Sequence, residues 1–322
     1  MFRYCLKRLL ISIPLLLGMA LLTFLLMQKT TGSFYDQLKM DPLISPETID
    51  RYIRLYQLDK PSLTQFLLWV RNLFRLEFGY SFYYNVPVVK IIAGRLGNTF
   101  ILSFASFLLT WLVAIPLGIC AALHRNRMID RVIQMLSYVG LSTPSFLSAM
   151  LLLYLASRTG LLPLGGMHSA RYEDMTALGR FLDLLRHLAI PAAALSIRSV
   201  GALQRIMRGN MLETLRQQYV LTARAKGLPE SRVVYVHALR NAINPLITLL
   251  GYEFSALLSG AALVEIICNW PGLGTLMLTA VRSKDIYLVM ASFMMGGVLF
   301  LVGNLFADIL LARLDPRIRY EK

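Results

Sequence analysis

The sequence predicts an all-α integral membrane protein with about six transmembrane helices and both termini cytoplasmic. Two observations carry this. Of 322 residues, 56% are hydrophobic and only 16% are charged, whereas a soluble domain carries about 25% charged residues. The apolar residues also gather into separate stretches of about 20, the length that crosses a hydrocarbon core at about 1.5 Å rise per residue. Mean hydropathy is +0.57. A soluble fold of this size would need more polar surface than the chain supplies, so lipid is the partner expected for the excess.

The stretches run from Leu9 to Met27, Thr99 to Leu123, Val132 to Ser157, Leu188 to Met207, Ala242 to Ile267 and Ile286 to Ala312. The first begins like a secretory signal, with Arg3, Lys7 and Arg8. Its apolar run is longer than a signal core, and Gln28-Lys29-Thr30-Thr31-Gly32 offers no A-x-A site, so a retained anchor helix over residues 1–28 is expected.

Lys and Arg near span ends set the orientation. They gather at the N-terminus, at Arg125, Arg127 and Arg131, along Arg208–Arg240, and in the tail at Arg313, Arg317, Arg319 and Lys322. An even number of spans puts these regions on one side, the cytoplasm. The opposite side receives residues 29–98, where Asp36, Asp41, Glu47, Asp50, Asp59 and Glu77 dilute the basic residues. Long translocated segments are largely exempt from the charge rule.

The outer segment carries helix signals of its own. Ser45-Pro46-Glu47 reads as an N-cap with proline at the first helical position. Pro61 opens a second helix with Leu63, Phe66, Leu67, Val70 and Phe74 on one face. Gly79 and Pro87 punctuate the stretch between that helix and the second span. Without internal repeats, residues 1–322 read as one transmembrane domain: anchor, outer segment, a five-helix core over 99–312, and a cytoplasmic loop at 211–241.

The net charge of +15 is explained by the cytoplasmic bias of Lys and Arg. Nucleic-acid binding would need a soluble basic domain with stacking aromatics, and none is visible. Cys5, Cys120 and Cys268 are too scattered for a disulfide framework or metal cluster. His124, His168, His187 and His237 form no ligand set, and Met290, Met294 and Met295 have the spacing of apolar packing. No metal site is expected.

The loop Met211–Pro245 reads MLETLRQQYVLTARAKGLPESRVVYVHALRNAINP and is too polar to span. Gly227 fits a left-handed helix end, and Pro229 prevents continuation. Glu230 and Ser231 then begin a second helix leading into the fifth span. The expected product is a helix–turn–helix handle standing off the bilayer. Ala223 and Ala225 keep its surface small for a partner, and Arg224 and Lys226 offer charge. The plainer reading is a solvated basic loop.

The segment Tyr219-Val220-Leu221-Thr222-Ala223-Arg224-Ala225-Lys226-Gly227, with His237-Ala238-Leu239-Arg240-Asn241 after it, resembles the EAA loop of binding-protein-dependent ABC importer permeases, in particular the dipeptide, oligopeptide and nickel branch. Matches run along nearly the whole chain. They include Phe78-Gly79-Tyr80-Ser81, Gly140-Leu141-Ser142-Thr143-Pro144-Ser145-Phe146, Glu265 with Trp270-Pro271-Gly272-Leu273-Gly274, and Asp315-Pro316-Arg317-Ile318-Arg319. Leu221 stands where the namesake Glu falls, and Thr222 at the first Ala.

The resemblance implies a type I importer permease in a bacterial inner membrane. It implies pairing with a second related permease subunit, two cytoplasmic ATPase subunits gripping Tyr219, Leu221–Gly227, His237 and Asn241, and an extracytoplasmic solute-binding protein. ATP and Mg would sit on the ATPase partners. This agrees with the lack of a G-x-x-x-x-G-K-[ST] loop in the chain. Peptide is the cargo implied first, with nickel or a metal chelate as the alternative.

Charges inside spans cost about 2.5–3.5 kcal/mol at a lipid-facing helix centre, so Glu253 and Asp308 should face protein or water. Glu253, Asn304 and Asp308 are either pore residues or structural partners, with Asn304, Ser255 or another subunit as candidate partners of the carboxylates. Pro116, Pro144, Pro191 and Pro245 bend or start spans. Glu265 with Trp270, Pro271, Gly272 and Gly274 reads as an outer gate or dock built on a tight re-entrant turn, or as an interfacial cap on the last span. A secondary transporter driven by an ion gradient would leave the handle without a job, and such folds carry internal repeats. A membrane enzyme would need a clustered site that the scattered His and Cys do not offer.

Overall fold

A computed structural model describes residues 2–29, 47, 50, 53 and 59–314. Ser45, Pro46 and the tail motif Asp315–Arg319 lie outside them. The regular elements among the described residues are helices, apart from one two-stranded hairpin. In order they form α1 (Phe2–Lys29), α2 (Ser62–Leu73), β1 (Tyr80–Ser81), β2 (Val86–Pro87), α3 (Val88–Leu123), α4 (Met128–Ser142), α5 (Ser145–Thr159) and α6 (Ala177–Thr214). Next come α7 (Gln218–Ala225), α8 (Glu230–Arg232), α9 (Leu239–Ala242), α10 (Asn244–Ile267), α11 (Leu273–Arg282) and α12 (Ile286–Leu314). By length and apolarity, Leu10–Lys29, Val88–Leu123 and Ile286–Leu305 each suffice to cross a membrane.

The predicted third span, Val132 to Ser157, is not one straight helix. It is α4 and α5, bent by 109°. Pro144 causes the break: it has no N–H to donate and it disfavours helical geometry at the residue before it. Thr143 accordingly sits extended, at φ −91° and ψ 121°. The predicted second span starts earlier than expected, because α3 begins at Val88, directly after Pro87. Leu188 to Met207 lies inside the 38-residue α6, which passes through Pro191 unbroken. Pro245 occupies the first turn of α10, where its missing N–H costs nothing.

The chain forms two compact units, Met1–Asn98 with Pro271–Leu301, and Thr99–Trp270 with Val302–Lys322. In the first, Phe24 of α1 meets Phe66 of α2 with ring centroids 5.6 Å apart. Trp69, Leu276, Leu288, Met290 and Met294 belong to the same core, so these methionines pack as apolar side chains. The face of α2 differs from expectation: Phe66 and Trp69 are buried, while Leu63, Leu67 and Phe74 are exposed. The inward stripe is therefore rotated onto Trp69, whose indole N–H donates to the Phe78 carbonyl at 3.0 Å.

In the second unit α6 is the central strut. It packs on α4, α5 and α10. Small residues let α4 and α6 approach: a Cβ on Gly201 would stand 2.6 Å from the Ser137 carbonyl oxygen. The Ser137 hydroxyl beside it donates to Gln204 at 2.7 Å. Near the end of α6, Arg208 clasps Asp130 of α4 through two bonds of 2.7 Å.

Candidate functional site

The elbow between α6 and α10 forms as its punctuation dictates. Helix α7 ends at Ala225, and Gly227 takes φ +73°, a left-handed value that a β-carbon disfavours. Pro229 then caps α8, and the chain continues through a π-helical turn, Val233–Ala238, into α9.

Its inner side is apolar. Val220, Ala223, Val233, Val234, Ala238 and Ala242 are buried against Leu203, Met207 and Met211 of α6. Ala223 therefore points inward, not toward a partner as its small size had suggested. Polar ties complete the element. The Asn210 amide donates to the Ala242 carbonyl at 3.1 Å, and the Asn241 amide donates to the Tyr219 hydroxyl at 2.9 Å. Arg224 donates twice to Glu230, at 3.1 and 2.5 Å, across the turn. Its charge is thus matched within the elbow, and it holds the Glu230 carboxyl below the usual carboxylate range.

The outer side carries Tyr219, Leu221, Tyr235 and Val236, each 43–58% exposed. Thr222, Ala225, Lys226 and Gly227 are also exposed, and His237 is half-buried. The result is a two-helix projection with an apolar patch beside cationic side chains. Tyr235 and Val236 were not among the residues that the sequence singled out; their place after the Gly-Leu-Pro break was the available signal.

The second predicted constellation divides. Glu265, fully buried near the end of α10, accepts from the Thr99 hydroxyl at 2.6 Å, and its backbone carbonyl accepts from the Trp270 backbone N–H at 2.8 Å. Trp270 is itself fully buried, so it is a core residue and not an exposed interfacial anchor. Pro271, Gly272 and Gly274 belong to the other unit. There the Asn98 amide donates to the Pro271 carbonyl at 2.8 Å, and Gly272 caps α11. The expected tight turn leads into this ten-residue apolar helix, an element that the sequence reading did not assign between the turn and the last span at Ile286.

Among the single polar residues, Glu253 of α10 is half-buried, in the neighbourhood of Ser199 and Arg198 of α6. Asn304 is buried and Asp308 half-buried on α12. His124 bonds the Cys120 carbonyl of its own helix at 3.0 Å, and His187 bonds the Asp183 carbonyl at 2.9 Å.

Residues 114–320 match the family described as binding-protein-dependent transport system inner membrane component. The chain is 38% identical to the oligopeptide transport system permease protein AppB of Bacillus subtilis, covering 99% of this chain and 100% of that one. It is 34% identical to the dipeptide transport system permease protein DppB of Lactococcus lactis subsp. cremoris, again covering 99% and 100%. A chain of the MetNI methionine ABC transporter, solved in inward-facing conformations, shares the fold with a TM-score of 0.57 at 12% identity, over 70% of this chain and 97% of that one.

Proposed function

Because this chain belongs to the binding-protein-dependent transport system inner membrane components, we propose that it forms half of the pore of an ATP-driven peptide importer and takes its motive force through the elbow Gln218–Ala242. It is a multi-pass inner-membrane transport component and not an enzyme. ATPase subunits and a binding protein are its partners. A second, related permease subunit completes the pore, and two ATPase subunits carry ATP and Mg. Peptide is the cargo, as the names of full-length relatives suggest.

One observation supports this reading most: the elbow is anchored on its inner side and open on its outer side. A push on Tyr219, Leu221, Tyr235 and Val236 passes into α6 and α10 through the buried Val220, Ala223 and Val234 and through the Asn210–Ala242 bond. Packed interiors transmit displacement because they are dense. A loop serving only the cytoplasmic charge bias would need neither the inner core nor the apolar outer patch.

The test is gentle purification of the tagged chain from its membrane. Two ATPase polypeptides, a second permease and peptide uptake after reconstitution with the binding protein are expected. Recovery of the chain alone, with uptake driven by an ion gradient, would overturn the reading.

A further inference from the structure

Helix α2 has three faces, since each residue turns it by about 100°. Phe66, Trp69 and Leu73 fall on one side and pack into the core shared with α1, α11 and α12. Gln65, Leu68 and Asn72 fall on a second side, where they line a cavity together with Glu77, Tyr80 and Tyr287. Leu63, Leu67 and Phe74 fall within about 40° of one another on the third. These three are 67%, 57% and 81% exposed, so an apolar stripe runs the length of the helix without cover from the described residues.

The position of α2 identifies what meets that stripe. Its Phe66 ring lies 5.6 Å from the Phe24 ring of α1, centroid to centroid. Both residues belong to one compact unit. Phe24 comes five residues before Lys29, where the apolar stretch Leu10–Lys29 ends. At about 1.5 Å per residue the contact lies about 7.5 Å inside the end of the span. Amphipathic helices seat at that depth, about 5–10 Å into the boundary between headgroups and acyl chains. Leu22, Leu25 and Leu26 of α1 are exposed at the same level, and on a membrane span such side chains face lipid. The stripe of α2 continues that lipid-facing surface at the same depth. Charge fits as well: Arg71 borders the stripe, and Lys60 and Arg75 stand beyond its two ends, all exposed. Long cationic side chains keep their stems on apolar surface while the charged heads reach the phosphate layer. Asp59 and Glu77 are exposed outside the helix itself.

We propose that α2 is an interfacial helix whose occupant is the outer leaflet of the bilayer. Leu63, Leu67 and Phe74 insert among the upper acyl chains, and Arg71 and Arg75 meet lipid phosphates. Because the stripe runs from one end of the helix to the other, α2 lies along the membrane plane. The Trp69 indole on the same helix donates to the Phe78 carbonyl at 3.0 Å, just before the hairpin. The leaflet thus steadies the hairpin as well as the helix. The inference needs the membrane location of the chain and is independent of the cargo.

The test uses the whole transporter, purified with its accompanying subunits and placed in nanodiscs of phosphatidylethanolamine and phosphatidylglycerol. A bimane label is attached at L67C and, in separate preparations, at L63C, F74C and T64C. Thr64 is also exposed, but it lies about a quarter turn from the middle of the stripe. Wild-type protein treated alike gives the background from native cysteines. Lipids with a nitroxide high on the acyl chain should quench L63C, L67C and F74C at least about twofold more than T64C, and iodide in the buffer should show the reverse order. Iodide quenching of L67C equal to that of T64C would place the stripe in water. A stripe reached by neither quencher would lie under protein. Either result would overturn the proposal.

Discussion

The Ser81 hydroxyl donates to the Asp285 carboxylate at 2.6 Å, joining residues 204 positions apart. Both are fully buried. Asp285 also accepts from the Tyr83 N–H at 3.1 Å and from the Leu288 N–H at 3.2 Å, so it caps α12 while holding the hairpin that begins at Tyr80. The Phe-Gly-Tyr-Ser motif thereby acquires a structural role. Gly79 adds to it, at φ +96°, where a Cβ would press to 3.0 Å on the Tyr287 ring.

S81A should destabilise this unit by about 1–3 kcal/mol, because it removes a bond to a buried acceptor. Melting of the purified chain in detergent, with proteolysis near residues 79–87 as a local probe, checks it. Unchanged melting would show that the backbone donors suffice.

Burial pushes the Asp285 carboxyl above its ordinary range, against the lowering by Ser81 and the backbone donors. The folded state therefore holds its proton to higher pH than the unfolded chain. The stability this adds is fully present below the unfolded value, about 4, and is lost as pH rises through the raised folded value. Melting between pH 4 and 8 should show that decline in wild type, and D285N should lack it. A wild-type profile parallel to that of D285N would refute the assignment.

G201A should weaken the contact of α4 with α6. The added methyl would meet the Ser137 carbonyl oxygen at 2.6 Å, and backbone cannot yield as a flexible side chain does. A cost of about 1–3 kcal/mol is expected from overpacking. By contrast G209A adds its Cβ to open space and should be neutral on packing grounds. Size-exclusion profiles after stepped heating would separate the two.

What was legible in the sequence was whatever depends on neighbouring residues alone. Gly227 and Pro229 announced the elbow because a left-handed φ and a missing N–H are local needs. Pro144 was visible as a kink, yet its effect is a 109° bend that splits the span, since bend angle depends on what packs either side. The inward aim of Ala223, the Arg224–Glu230 clasp, and the rotation of α2 onto Trp69 arise from tertiary neighbours. Ser81 and Asp285 were unreadable as partners for the same reason. Helix α11 escaped because ten apolar residues are too few to cross a membrane and follow directly on a Pro-Gly turn, so they carried no span signal of their own.

The Arg208–Asp130 pair should behave as a unit. Removing one partner, as in R208M or D130L alone, leaves an unmatched charge and should cost about 3 kcal/mol or more. Removing both should cost less than the sum, because no orphan charge remains. A double-mutant cycle on melting in detergent measures the difference. Additive losses would mean that the two side chains act independently despite their 2.7 Å contacts.

G227V tests the elbow as a transmission element. Valine at φ +73° is strained by about 1–2 kcal/mol, although its Cβ would meet no heavy atom within 4 Å. The strain therefore acts on the backbone turn, not through collision. Because Val220, Ala223 and Val234 still seat the inner face, the chain should insert and assemble. Rotation of α7 against α8 would shift the exposed Tyr219 and Leu221 relative to Tyr235 and Val236, and the patch proposed to meet the ATPase would no longer be continuous. ATP hydrolysis should then continue at near wild-type rate while peptide uptake falls at least about tenfold, the loss expected when a catalytic cycle is misaligned by a small displacement. The ratio of peptide transported to ATP consumed, measured in vesicles, is the quantity to track. A normal ratio would mean that force enters the membrane helices by another route, and that the elbow serves only to satisfy its own backbone.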